Sequence, residues 1–155
     1  MGLDMYLYKT KRVKDYTAED YSDVEDAVSE FSSVEDLKEK VSSIGLKKVG
    51  YWRKANQIHS WFVENCQSGI DECQMEEVTK QNIEELLIIC LDIIKNKDDE
   101  ELAKSELPTQ NGFFFGSTEY DSDYYEDIKD TIKIIQNVLN TTDFEKEVVL
   151  YRSSW

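Results

Sequence analysis

Arg53 and Lys54 sit side by side in the run Tyr51-Trp-Arg-Lys-Ala-Asn-Gln-Ile-His59, which also holds the single histidine. A guanidinium is a planar fork of donors that matches a phosphate or carboxylate, and a neighbouring ammonium adds charge without direction. Lys48 lies close by in sequence, and the rings of Trp52 and Tyr120 are of a kind that stacks on a base. Further along, Gly116-Ser117-Thr118 precedes a helical pattern, where backbone N–H groups can meet an anion. These residues suggest an anion-binding pocket made of Arg53, Lys54, His59, Trp52, Ser117, Thr118 and Tyr120. The competing reading of Arg53 is an ordinary ion pair with one of many surface carboxylates. His59 invites a second chemistry, proton transfer, with Asp4, Glu119 or Asp121 as its orienting partner. Against that stands a core histidine bonded to a backbone carbonyl or a tyrosine hydroxyl.

Other chemistries find little footing. One histidine with Cys66 and Cys73 does not make a zinc pattern, and the carboxylates do not follow the 12-residue calcium loop, so no metal and no cofactor is expected. Asp121-Ser-Asp123 is accounted for by helix capping. The phosphate-loop, dinucleotide and nucleophile-elbow signatures are missing. Cys66 and Cys90 fall in apolar helical patterns, where a thiol behaves as a small hydrophobe, and no catalytic residue is assigned.

Composition sets the frame. The 155 residues suit one domain, 1–155, with a real core; 40% are hydrophobic and 12% aromatic. Three cysteines fit reduced thiols. The start of the chain reads as neither a signal nor a transit peptide and the longest apolar run is short, so a cytoplasmic protein without membrane contact is expected. With 33 acidic against 18 basic residues and a formal charge of −15, direct binding to nucleic acid is disfavoured.

The elements follow from periodicity. Residues 3–8 alternate, with Leu3, Met5 and Leu7 on one face, and read as a strand. Residues 15–36 carry nine acids and no base. Within them Tyr21, Val24, Ala27, Val28 and Phe31 keep helical spacing, and Ser33 can cap a second short helix. Residues 51–66 read as one helix with a core stripe of Tyr51, Ala55, Ile58, Phe62 and Cys66. His59 lies within its apolar band, while Gln57, Ser60 and Trp61 fall on the polar face. Residues 75–78 suit a short edge strand. Thr79 then caps a helix running to about Asn96, apolar almost all round and so expected to be the most buried. Residues 97–108 read as a loop with at most one helical turn. Phe113 to Phe115, boxed by Gly112 and Gly116, suggest a short strand or a tight turn. Asp123 and Glu126 have capping-box spacing, and Tyr124, Ile128, Thr131, Ile132, Ile135 and Leu139 form a helix face closed by Asn140. Residues 147–155 read as a strand, with the first strand or the Phe113–Phe115 segment as its neighbour. The expected fold is α+β, a small mostly antiparallel sheet containing both termini, with four or five helices packed against it.

Four stretches together resemble a family of small phage and prophage proteins: Met-Gly-Leu-Asp-Met-Tyr-Leu-Tyr at the start, Tyr51 to His59, Pro108-Thr-Gln-Asn-Gly-Phe-Phe-Phe-Gly-Ser-Thr-Glu-Tyr-Asp121, and the final Ser153-Ser-Trp155. The resemblance supplies no catalytic residue, and the acidic segment lies outside it. It implies a phage accessory protein acting in the host cytoplasm, in host takeover or counter-defence. The leading expectation is then a binding protein that sequesters a small anionic ligand such as a signalling nucleotide. Two alternatives stand beside it: an acidic inhibitor that mimics nucleic acid and binds a basic host protein, and a small enzyme using His59 with a carboxylate. Mimicry would use the carboxylates of the helix expected within 15–30, together with acids 119, 121, 123, 126, 127 and 130, as one contiguous negative face.

Overall fold

The computed structural model describes residues 2–12 and 45–155. The helices expected at 21–31 and after Ser33 lie outside the described residues. The others form four strands and four helices: β1 (Asp4–Lys11), β2 (Lys47–Arg53), α1 (Asn56–Cys66), β3 (Glu76–Val78), α2 (Lys80–Lys95), α3 (Glu100–Glu106), α4 (Ser122–Thr141) and β4 (Glu147–Ser154). The strands make one antiparallel sheet in the order β2-β1-β4-β3, an α+β fold with both termini in the same sheet.

Strict alternation in β1 buries Leu3, Met5 and Leu7 completely and leaves Asp4, Tyr6 and Tyr8 on the other face, as the period of two requires. Lys9 continues the inward set. Its ammonium donates to the Thr141 carbonyl at the end of α4 (2.5 Å) and to Glu147 Oε2 (3.2 Å), so an inward charge is matched by a helix C-terminus and a carboxylate. Between Leu7 and Tyr8 the pairing with β2 slips by a residue at Val49. Beside that bulge Gly50 lies under α4, where a Cβ would come within 2.7 Å of Ile134 Cγ2, so the absence of a side chain lets the helix cross the sheet closely.

The helix expected over 51–66 begins only at Asn56. Tyr51, Trp52 and Arg53 belong to β2, and Lys54, at φ 61°, turns the chain out of the strand. The spacing of Tyr51 and Ala55 coincides with helical spacing, yet the period changes from two to 3.6 between them. Ala55, Ile58, Phe62 and His59 are fully buried as the stripe requires, whereas Cys66 is half-buried and Tyr51, expected in the core, is 43% exposed on the strand. Gln57 and Trp61, expected on the wet face, are 2% and 7% exposed: Gln57 donates to Asp127 on α4, and Trp61 lines a small groove with Leu107 and Pro108.

Thr79 caps α2 with a reciprocal bond to Asn82, and Val78 and Ile83 are both buried beside the cap. This helix is not buried all round: Ile83, Leu86, Cys90 and Ile93 face the core, while Ile88 and Leu91 are exposed. An apolar sequence on every side does not by itself bring a neighbour to every side. The stretch expected as a loop contains the two-turn α3, started by Asp99 accepting from the Leu102 N–H and helped by Glu100 and Glu101 at its positive end. Residues 109–121 contain no strand. The cap of α4 is Asp121, which accepts from the N–H groups of Asp123 and Tyr124 in place of the expected Asp123–Glu126 box. Tyr124, Ile128, Thr131, Ile135 and Val138 form its buried face.

Candidate binding cleft

The turn at Lys54 and the start of α4 stand opposite each other across a cleft of about 330 Å³. Arg53 enters it from the last residue of β2 and Lys54 from the turn that follows, and Gly116 and Ser117 come from the loop before α4. Gly116 adopts φ 97°, and a Cβ there would stand 3.0 Å from the Cβ of Lys54, so the loop can lie against the lysine only with glycine at this position. The opposite wall carries Glu119, Asp121, Asp123, Glu126 and Asp127.

The charges on the two walls are left to different degrees unsatisfied. Asp121 is engaged as the helix cap and Glu126 pairs with Lys129 at 2.5 Å. Asp127 is half-buried and accepts from Gln57 Nε2 at 3.2 Å. Burial lifts its carboxyl from 3.8 to about 6; the Gln57 hydrogen bond opposes this, and Asp130, Asp123 and Asp121 add to it. Among the described residues neither Arg53 nor Lys54 has an ion-pair partner within 4.0 Å. In a chain of charge −15, two adjacent exposed cations thus stand without an ion-pair partner among the described residues, in a cleft that five carboxylates also line.

Three of the seven residues expected to form the pocket therefore come together here: Arg53, Lys54 and Ser117. The others are elsewhere. Trp52 is buried and donates its indole N–H to Thr131 Oγ1 at 2.8 Å, tying β2 to α4. The Thr118 carbonyl accepts from the Thr109 hydroxyl, and the Tyr120 hydroxyl accepts from the Thr109 N–H while its ring packs on Tyr124.

His59 lies in the core. Its Nδ1 is 2.7 Å from the Tyr151 hydroxyl and its Nε2 is 2.9 Å from Asp71 Oδ2, while Asp71 Oδ1 accepts from the indole N–H of Trp155. A carboxylate can only accept, which makes Nε2 the donor and leaves Nδ1 to accept the tyrosine proton. Burial holds the Tyr151 hydroxyl well above its usual range, so that proton stays in place. Every member of the chain Tyr151–His59–Asp71–Trp155 is satisfied, and the ring, fully buried, is not among the residues lining the cleft. The partner is thus Asp71 and not Asp4, Glu119 or Asp121. Asp4 is taken by the Tyr51 hydroxyl at 2.6 Å. All three thiols are free, and burial pushes Cys66 and Cys90 up to about 12, with Glu85 adding to the effect at Cys66, so neither is a ready nucleophile at neutral pH.

Periodicity alone did not single out Gln57 or Asn56. Asn56 is buried and clamps the loop: its Nδ2 donates to the carbonyls of Phe115 (3.2 Å) and Ser117 (2.8 Å), and its Oδ1 accepts from the Gln110 N–H (2.8 Å). Two adjacent amides at the start of a helix were the available signal. No family model matches the chain, and neither does any curated protein or solved structure. Among the described residues no helix is long and apolar enough to cross a membrane, and no group of acids, histidine and cysteines is placed to hold a metal ion.

Proposed function

We propose that the protein is a binding protein whose ligand sits in the cleft between Arg53 and the start of α4, and that this ligand is a small molecule carrying one anionic and one cationic group. The observation that carries this reading is the pair of unpaired cations, Arg53 and Lys54, set across the cleft from carboxylates that they do not reach. An acid group fits the guanidinium fork, and an ammonium or guanidinium fits the opposite wall. A signalling dinucleotide, the ligand class suggested by sequence, would bring two phosphates against five carboxylates; the zwitterion fits the electrostatics better. In a phage accessory protein, such binding would serve host takeover or counter-defence by sequestration.

The nucleic-acid mimic draws less support. Lys129 and Lys133 pair with Glu126 and Asp130 and break up the α4 part of the negative face that mimicry needs, while the acids of 15–30 lie outside the described residues. The enzyme reading loses its proton carrier, because His59 is enclosed by its own partners.

Thermal shift and titration calorimetry against free amino acids and dipeptides, nucleotides and cyclic dinucleotides, and polyamines would test the reading, since a ligand that binds only the folded state raises its melting temperature. Zwitterions should stabilise the protein. Arg53→Ala should abolish that response while moving the melting temperature of the free protein little, and Arg53→Lys should not restore it. Stabilisation by cyclic dinucleotides alone would restore the simple anion pocket, and a response untouched by Arg53→Ala would place the ligand elsewhere.

A further inference from the structure

The two faces of the sheet differ in chemistry. One buries Met5, Leu7 and Tyr151 under helices, with Phe62 of α1 stacked on Tyr151 and Ile134 of α4 over Gly50. The other carries two rows of side chains that run across three strands. Tyr51, Tyr6 and Arg152 are direct neighbours on β2, β1 and β4, and Lys48, Tyr8 and Leu150 make the next row. The three tyrosine rings form one partly exposed cluster: Tyr6 lies 5.8 Å from Tyr8 at 19° and 5.4 Å from Tyr51 at 45°. Lys48 and Arg152 are exposed, and neither has an ion-pair partner within 4.0 Å among the described residues. The Lys48 ammonium lies 5.7 Å from the centre of the Tyr51 ring. Neither row contains an acid. The two acids that flank them are engaged, Asp4 with the Tyr51 hydroxyl at 2.6 Å and Glu77 with Arg12 at 3.3 Å. None of the six residues lines the cleft.

We propose that this face of the sheet binds single-stranded nucleic acid, with bases stacked on the tyrosine cluster and phosphates met by Lys48 and Arg152. Aromatic side chains beside cations suit this partner, because every base has a π-face to stack and every linkage carries a charge. A duplex keeps its base faces inside its own stack and has nothing to offer the rings. An acidic peptide would satisfy the two cations but leave the three rings without partners. The net charge of −15 opposes any polyanion at long range. Exposed charges more than about 8 Å apart are largely screened at physiological ionic strength, so the acids on the helices behind the sheet count for less than the two cations in contact.

The test is fluorescence anisotropy of labelled short oligo(dT) and oligo(U) titrated with the full-length protein at low salt, with a duplex of equal length as control. At least one single strand should bind and the duplex should not. Tyr8→Thr and Tyr51→Thr, which keep a β-forming residue in each strand, should each weaken binding at least about fivefold, while Tyr6→Phe retains it. Arg152→Glu, a change at an exposed position, should weaken binding at least about tenfold, and affinity should fall with salt at a log–log slope of about −1.4, as for two phosphate contacts on a single strand. Circular dichroism and melting temperatures control for folding, and Arg152→Glu carries the test should a tyrosine variant fail to fold. The proposal is overturned if neither strand binds, if the duplex binds as tightly, or if the folded variants bind like the parent protein. It is also overturned if oligo-glutamate displaces the strand as readily as unlabelled oligonucleotide does, which would assign the face to an acidic protein.

Discussion

Phe114 and Lys54 both hold a left-handed backbone without being glycine, and they lie at the same end of the sheet: the N–H of Lys54 donates to the Leu3 carbonyl and the N–H of Leu3 to the Phe114 carbonyl. Such a position costs of order 1 kcal/mol or more. Phe114→Gly removes that strain together with a half-exposed ring, so stability in urea titration should rise by about 1 kcal/mol. A loss of stability would mean that the ring packs more than its exposure indicates. Asp127 sets a second expectation at this scale. Its folded pKa of about 6 lies above the ordinary 3.8, so its relative contribution to stability is fully present below about pH 4 and is lost as pH rises through about 6. Asp127→Asn, which can still accept from Gln57, should melt higher than the parent protein above pH 6, with the difference vanishing near pH 4. Parallel melting curves across that window would show that burial does not perturb this carboxyl.

At the scale of elements, α4 organises the cleft, because its cap Asp121 and first-turn acids form one wall while its buried face rests on β2. The contact depends on Gly50. Gly50→Ala would place a methyl 2.7 Å from Ile134 Cγ2 and 3.2 Å from Leu7 Cβ, neither of them the far end of a flexible chain. The expected cost is about 1–3 kcal/mol by chemical denaturation. Because the α4–β2 spacing also sets the distance between Arg53 and the acidic wall, ligand affinity should fall with it. Unchanged stability would mean that α4 can lift off the sheet without loss.

For the whole molecule, β1 and β4 are the two inner strands, and β4 connects β1 to β3. Deleting residues 151–155 removes the pairing partners of Asp4 to Leu7. It also removes Tyr151, which stacks on Phe62 at 4.2 Å and supplies the proton that His59 accepts. The truncated chain should lose cooperative thermal unfolding by circular dichroism; retention of a sharp transition would show that the last residues are a tail.

Much of this architecture was legible from residue order, because alternation in 3–8 and 147–154 and the 3.6 spacing in α2 and α4 are local signals with one low-energy outcome each. The cap at Thr79, the edge strand before it and the burial of His59 were legible for the same reason. What only the tertiary structure decided was whatever depends on a neighbour remote in sequence. Tyr51 to Arg53 became strand because β1 was there to pair with them. Gln57 was buried because α4 brings Asp127 to it, Trp61 came to lie beside Leu107 and Pro108, and Ile88 and Leu91 stay exposed. The same holds for the candidate site. Arg53, Lys54 and Ser117 could be named from their chemistry, but that five carboxylates would face them, and that Asp71 and Tyr151 would enclose His59, follows from loop closures over many residues that no local pattern encodes.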